Sequence, residues 1–473
     1  MWRGQGWVEP GAAPVPVPTE PLTGAEAHQS ASTMPGFQAM PTDDLGPVPS
    51  PPRTLAALMI EALERNPSTR MAWESARAAA GRMGMADSLY LPRVKLYAEG
   101  DHEKDVYPAV PAPLFYQGWN ASTGISMTWL LADFGRREAA VEAARHGLEA
   151  ANLTHNREIE RVVFGVQQAY FRLDAQQGLL EAAGEDLDNA RIQLEMVESR
   201  MVVGLATRPA LLESRQQFAK AQYQFESTKA GLYEAQAGLA VAVGVPAGTP
   251  IVIQSLQSMP LPKELDVAVE SVVVQSLAQR PDIQAAVARE REARDRVHEA
   301  EADFLPTVSM VGNLEWGWLD GTASIGSQEA ANHGVATFGS IGLEAEWSIF
   351  EGWERTSRLY QARAEEAKSR AALQLLQLAV SNEVWSAYFD VRASRSLFAA
   401  GEALLASALD EYEAVFAAYA NGLATISQLV LSESDLFDAR ATLIRARAEY
   451  LDSTARLAFA SGAAPVSATS RLD

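Results

Sequence analysis

The chain has 473 residues, with 39 Lys and Arg against 60 Asp and Glu and a formal net charge of −21. That balance argues against nucleic acid as a partner, because holding phosphates needs a basic face, and favours a surface or lumen that tolerates cations. The absence of cysteine removes disulfides, thiolate metal sites, thiol nucleophiles and an N-terminal lipidated cysteine.

Residues 1–52 are rich in Pro, Ala, Gly and Ser and predict an extended arm. Pro10, Pro14, Pro16, Pro18 and Pro21 interrupt any leader-like apolar run, so an export signal is expected to have been removed before the sequence begins. From Thr54, the stripe Leu55, Leu58, Met59, Ala62 and Leu63 predicts a helix, interrupted at Asn66-Pro67. It resumes through Trp73, Ala76, Ala80 and Met83, and Pro92 ends it. At Arg93 the period changes to two: Val94, Leu96 and Ala98 alternate with Lys95, Tyr97 and Glu99. A Pro-rich loop (Pro108, Pro111, Pro113) leads to a second strand. Its Trp119, Ala121, Thr123, Ile125, Met127 and Trp129 lie on one side, and Asn120, Ser122, Gly124, Ser126 and Thr128 on the other.

A long helix is predicted from Phe134 to Val203 and a second from Thr207 to Val243, closed by Gly244 and Pro246. Leu180, Ala183, Leu187, Ala190, Leu194, Val197 and Met201 step by three and four on the first arm. Leu211, Ser214, Phe218, Ala221, Phe225, Thr228, Leu232, Ala235, Leu239 and Ala242 do so on the second. This is the heptad pattern of an antiparallel hairpin, bent at Val203-Gly204-Leu205-Ala206-Thr207. Residues 247–265 read as a Pro-containing connector.

The order then repeats. Helix is predicted from Val267 to Phe304, with Arg280-Pro281 near its start and Pro306 ending it. The strand Val308, Met310, Gly312, Leu314, Trp316 follows, then a Gly/Ser loop over about 319–335, then the strand Ile341, Leu343, Ala345, Trp347. A long helix leads to Asn421-Gly422-Leu423-Ala424-Thr425, and a last helix ends near Gly462. Pro67 pairs with Pro281 and Pro92 with Pro306 at an offset of 214, while Trp129 pairs with Trp347, Gly204 with Gly422 and Gly244 with Gly462 at 218. The two halves are therefore one unit used twice, with the four-residue difference confined to the strand-bearing segment.

The expected organisation is an arm (1–52), a first repeat (53–246; strands about 93–130, helical hairpin about 134–243), the connector (247–265), a second repeat (266–462; strands about 307–348, hairpin about 352–461) and a tail (463–473). A helix of about 70 residues spans about 105 Å, and the two shorter helices of each half, stacked end to end, match it. Four strands with an apolar outer face cannot close a barrel, and open edges do not survive in lipid, so closure requires further copies. A trimer supplies twelve strands, an even number suited to an outer-membrane barrel, with Trp residues at the strand ends as interfacial girdles. The opposite face, bearing Glu99, Asp101, Glu315, Glu344 and Glu346, would line an acidic lumen.

This order resembles the TolC-type outer-membrane efflux proteins over about residues 53–462. The resemblance rests on the Pro-terminated helix before each strand pair, on Trp129-Leu130-Leu131-Ala132-Asp133-Phe134-Gly135-Arg136 and Phe350-Glu351-Gly352 leading into the long helices, and on Tyr419-Ala420-Asn421-Gly422. It implies a mainly α chain with a transmembrane β-barrel. The homotrimer's twelve-stranded barrel would sit in outer-membrane lipid of a Gram-negative bacterium and continue as an α-helical coiled-coil tunnel in the periplasm. It further implies an exit duct of a tripartite efflux or type I secretion system, docked to an inner-membrane pump through a periplasmic adaptor.

Val203, Gly204, Leu205 and Ala206, with Asn421, Gly422, Leu423 and Ala424, would then form the adaptor-contacting tip, and Tyr419 matches a tyrosine that holds the tunnel closed. The family often carries an Asp nine residues after the second glycine; here that position is Leu431, preceded by Gln428, with Glu213 at the equivalent offset in the first half. The alternative from a different class is a soluble periplasmic coiled-coil adaptor or scaffold, which has no need of Trp-bounded strands. No cofactor or catalytic constellation is expected, and His298-Glu299 lacks the second histidine of a helical metal site.

Overall fold

The computed structural model describes residues 52–108, 112–257, 261 and 267–463. The arm through residue 51, most of the connector after 257 and the tail after 463 lie outside the described residues. Within Pro52–Asp473, which forms one compact unit, the elements are α1 (Leu55–Arg65), α2 (Pro67–Asp87), β1 (Arg93–Tyr107), β2 (Leu114–Ala132), α3 (Arg136–Val202), α4 (Arg208–Val243), α5 (Val269–Gln279), α6 (Pro281–Ala302), β3 (Thr307–Ile325), β4 (Gln328–Glu346), α7 (Glu354–Ala420) and α8 (Ile426–Ser461).

The 67-residue helices α3 and α7 are the long rods, each about 100 Å at 1.5 Å per residue. Asn66 caps α2 with its side chain and donates from Nδ2 to the Ala242 carbonyl at 2.9 Å, so the α1–α2 joint meets the end of α4. Its repeat counterpart, Arg280, donates to the Ala460 carbonyl at 2.8 Å at the end of α8. The first core gathers there: Leu58, Val166, Tyr170, Leu173, Leu239 and Val243 are fully buried, each large aliphatic side chain contributing roughly 1.5–3 kcal/mol.

The connector does more than link. Ile251 and Ile253 sit in this core, Ile253 bridges Arg53 in parallel, and Tyr170 donates to the Gln254 carbonyl. Burial pushes the Tyr170 hydroxyl up to about 12, with Asp174 adding to it.

Along the hairpins, small residues mark where helices approach. Ser214, Ala221, Thr228 and Ala235, seven apart on α4, are all buried, as are Ser432, Ala439, Ser453 and Ala460 on α8. Small side chains at the seam let the backbones come close, and neighbouring Phe218, Phe225 and Leu232 are half-buried.

The four strands make one antiparallel sheet in the order β1-β2-β3-β4, so β1 and β4 are its edges. One expectation is corrected here. Residues 319–335 are not a loop: β3 runs to Ile325, β4 begins at Gln328, and Ser324 and Leu319 pair with Glu329 and Gly334. The Gly and Ser residues lie within a strand pair turned over Gly326 at φ +59°, because ladder pairing with β3 outweighs their weak strand preference.

Candidate functional sites: the sheet face and the helical turns

In an antiparallel pair, directly opposed residues point to the same side of the sheet. Glu99 opposes Ser122 and Asp101 opposes Asn120; Glu315 opposes Gly124 and Phe338; Ser309 opposes Glu344 and Thr307 opposes Glu346. All five predicted acidic residues therefore share one face. Glu103 and Asp105 extend the same row and were missed, although the period-two alternation from Lys95 continues through them. On this face Tyr97 donates to Glu315 at 2.7 Å across the sheet. Gly124 lies between their strands, and a Cβ there would meet the Tyr97 hydroxyl at 2.7 Å, so only glycine leaves room for the bridging ring. Asn120 joins Glu103 at 2.7 Å and accepts from the Tyr116 hydroxyl at 3.0 Å. Leu319 and Phe338 interrupt the polar surface.

The opposite face carries Leu96, Trp119, Ile125, Leu314, Trp316, Trp318, Val335, Ile341 and Leu343, all exposed. On β3 its apolar positions run from Val308 to Trp318, ten residue steps. At about 3.3 Å per residue that is about 33 Å of strand, or about 25 Å of height at a 40–45° tilt, the thickness of an outer-membrane apolar band. Beyond it the face turns polar with an Asp320–His333 contact. Among the described residues no helix is long and apolar enough to cross a membrane.

Each strand pair is joined to its long helix by the same device. Trp129 donates from Nε1 to the Tyr90 carbonyl at 3.0 Å, and Trp347 to the Phe304 carbonyl at 3.1 Å. Arg137 donates to the Leu130 and Leu131 carbonyls, pairs with Asp133 and lies over the Tyr90 ring. Arg355, 218 residues on, bonds the Ser348 carbonyl, pairs with Glu351 and lies over Phe304. The two arginines were not singled out in the sequence, although the repeat offset relates them. The half-repeats are tied together at this level by Asp303, which takes Arg136 at 2.9 Å and Arg358 at 2.8 Å.

At the far end the turns are Schellman caps. Gly204 and Gly422 hold φ +76° and +75°, and the Leu205 and Leu423 amides reach back to the Arg200 and Ala418 carbonyls, each at 2.8 Å. Thr207 and Thr425 then cap the returning helices. The turns leave Val202, Val203, Leu205 and Leu423 largely exposed, with Ala206, Asn421 and Ala424 beside them.

Of the proposed gate residues, Tyr419 is buried among Val197, Ile426 and Leu429, with the Arg200 guanidinium 4.7 Å from its ring centre, so it joins the two hairpins. Gln428 completes a capping box, its Oε1 accepting from the Thr425 amide at 2.8 Å. Leu431 is exposed, and Glu213 accepts from the Ser427 hydroxyl at 2.8 Å across α4 and α8. Glu213, Gln428 and Tyr419 are thus held by contacts between or within hairpins.

A sheet with one apolar face of bilayer height, one acidic face and, among the described residues, two unpaired edges, carried on helices about 100 Å long, defines a class of protein: a mainly helical chain with a lipid-compatible β-sheet at one end. The family profile described as outer membrane efflux protein matches residues 58–245 and 272–463, one match in each repeat, and the chain belongs to that family. It is 27% identical to protein CyaE of Bordetella pertussis over 88% of this chain and 87% of that one. It is 25% identical to the alkaline protease secretion protein AprF of Pseudomonas aeruginosa over 85% and 82%, and 22% identical to the outer membrane protein TolC of Salmonella enteritidis over 84% and 79%. Among solved structures it matches the outer-membrane channel OprN with a TM-score of 0.75 at 21% identity, covering 87% of this chain and 90% of that one. It matches the Campylobacter jejuni CmeC outer membrane channel at 0.72 and 18%, covering 88% of each. The protein is an outer-membrane protein of the efflux class, with a large periplasmic helical part in a Gram-negative cell envelope.

Proposed function

We propose that three copies close their sheets into one twelve-stranded barrel, continued by a tunnel of the long hairpins, and that the assembly acts as a passive duct with an acidic lumen. The observation that carries this reading is the sheet itself: β1 and β4 are unpaired edges beside a lipid-ready face, and in hydrocarbon an unpaired strand edge costs several kcal/mol per orphaned group. Edge-to-edge addition of identical copies satisfies every edge at once. The exposed row Leu375, Leu378, Leu397 and Leu404 on α7 supports the same assembly, since it supplies apolar surface for a neighbouring hairpin.

In this reading Glu99, Asp101, Glu103, Glu315, Glu344 and Glu346 face the lumen, and the exposed Val203, Leu205 and Leu423 meet the turns of a periplasmic adaptor that brings an inner-membrane pump. The purified full chain is expected to require detergent and to have the mass of three protomers. Photocrosslinkers at Leu205 and Leu423 are expected to capture a periplasmic coiled-coil protein in cells. A monomer stable without detergent would end the duct reading, and capture at neither position would end the docking assignment.

A further inference from the structure

Where α3 of the first repeat meets α8 of the second, three polar side chains are buried together with acceptors left over. Glu433 is 2% exposed, Gln193 4% and Asp186 8%. Gln193 donates from Nε2 to Glu433 Oε2 at 2.5 Å, while Glu433 Oε1, Gln193 Oε1 and Asp186 Oδ1 have no hydrogen-bond partner. A buried carboxylate with an unmet oxygen is costly, and two such carboxylates near one another repel. A proton removes one charge and converts a surplus acceptor into a donor.

We propose that Asp186, Gln193 and Glu433 form a proton-operated latch between the two repeats, holding α3 against α8 near the periplasmic turns when protonated and releasing them when the proton leaves.

The surroundings fit this assignment on every side. From α4, Lys220 faces Asp186, but its Nζ is 3.3 Å from the Ser434 hydroxyl. From α8, Arg440 and Asp438 face Asp186 with opposite effects, and Arg440 is held by Glu185 of α3 at 2.5 Å. From α7, the group facing Glu433 is the Tyr412 hydroxyl, itself pushed up first by burial and then by Glu433. No cation is paired with Glu433 among the described contacts, and its one donor is the neutral Gln193 amide. Burial, then the Asp186 charge, raises the Glu433 carboxyl to about 7; burial, followed by opposing effects of Lys220, Asp438 and Arg440, raises Asp186 to about 6.

The sign follows from linkage. A carboxyl that holds its proton more tightly folded than unfolded contributes stability fully present below its ordinary value, near 4, and loses it as pH rises through its folded value. The latch is therefore closed in acid and weakens between about pH 5 and 8. Nothing in the repeat duplicates the site: 218 residues from Gln193 stands Glu411, and 218 before Glu433 stands Arg215. The latch therefore acts at the α3–α8 seam alone. Its consequence for flow rests on the duct reading, while its chemistry does not.

The test is amide hydrogen exchange on the full-length chain in detergent, corrected for intrinsic pH dependence, at pH 5.5 and 8. Wild type is expected to lose at least about tenfold protection in residues 186–193 and 429–440 at the higher pH, as a shift of one pKa unit requires, while the seam at Tyr170 stays constant. Glu433→Gln, which keeps the shape of the protonated acid, is expected to hold high protection at both values, and Asp186→Asn to shrink the difference. Wild-type protection that does not change with pH, or a change of undiminished size in both variants, overturns the latch. Bilayer conductance measured in parallel separates the two ideas: pH-dependent exchange in a protein that never conducts keeps the latch and removes the duct.

Discussion

At the scale of single residues, the helix ends show how buried charge is made tolerable. Arg280 is almost fully buried, yet it reaches Asp282 at 2.7 Å, Glu383 at 2.7 Å and the Ala460 carbonyl. Burial works to raise the Asp282 carboxyl, but the bonds and charge of Arg280, aided by Arg157, outweigh it and hold Asp282 below the usual value. Its stabilising contribution is thus present at neutral pH and lost only as pH falls below the ordinary carboxylate range, opposite in sign to the Glu433 site. Arg280→Ala removes the partner of two carboxylates and the cap of α8 together, and is expected to cost about 3 kcal/mol, seen as a lowered denaturation midpoint at pH 7. A change under about 0.5 kcal/mol would show that the network is surface-like in energy. The turn into each long helix makes a second point. Phe134 and Gly135 are both left-handed, and so are Gly352 and Trp353, their counterparts at offset 218, so the backbone shape is kept while glycine changes place.

At the scale of elements, the hairpins depend on spacing. Ala221 is 1% exposed on the small-residue seam of α4. A larger side chain at this closely packed position must displace its neighbours, and Ala221→Leu is expected to destabilise by about 1–3 kcal/mol despite adding apolar surface. Thermal unfolding followed by helical circular dichroism measures it, and a raised melting temperature would mean that the seam is loosely packed. The heptads in the sequence located this seam, because a period of 3.5 is a local property of the chain. The strands were harder to bound. The Gly- and Ser-rich stretch 319–335 has turn composition, but all of it except Gly326 and Ser327 at the turn finds a partner across the β3–β4 ladder.

At the scale of the whole molecule, function depends on which side of the sheet faces water. In the proposed trimer the acidic row points inward, and a lumen so lined would favour cations. Replacing Glu344 and Glu346 together by Gln is expected to lower the cation-to-anion permeability ratio about two- to fivefold in planar bilayers, most strongly at low salt where screening is weak. An unchanged ratio at both high and low salt would remove the acidic-lumen assignment.

What the sequence determined alone was everything carried by short-range pattern: the two repeats, the glycine turns, the period-two strands and the one face that bears Glu99, Asp101, Glu315, Glu344 and Glu346. These are legible because side-chain direction follows backbone periodicity over a few residues. Tertiary structure alone decided the rest. It put Tyr419 under Arg200, drew Ile251 and Ile253 of the connector into a core, and brought Gln193 to Glu433 across 240 positions. Burial and proton affinity are set by neighbours distant in the chain, so no local pattern announces them.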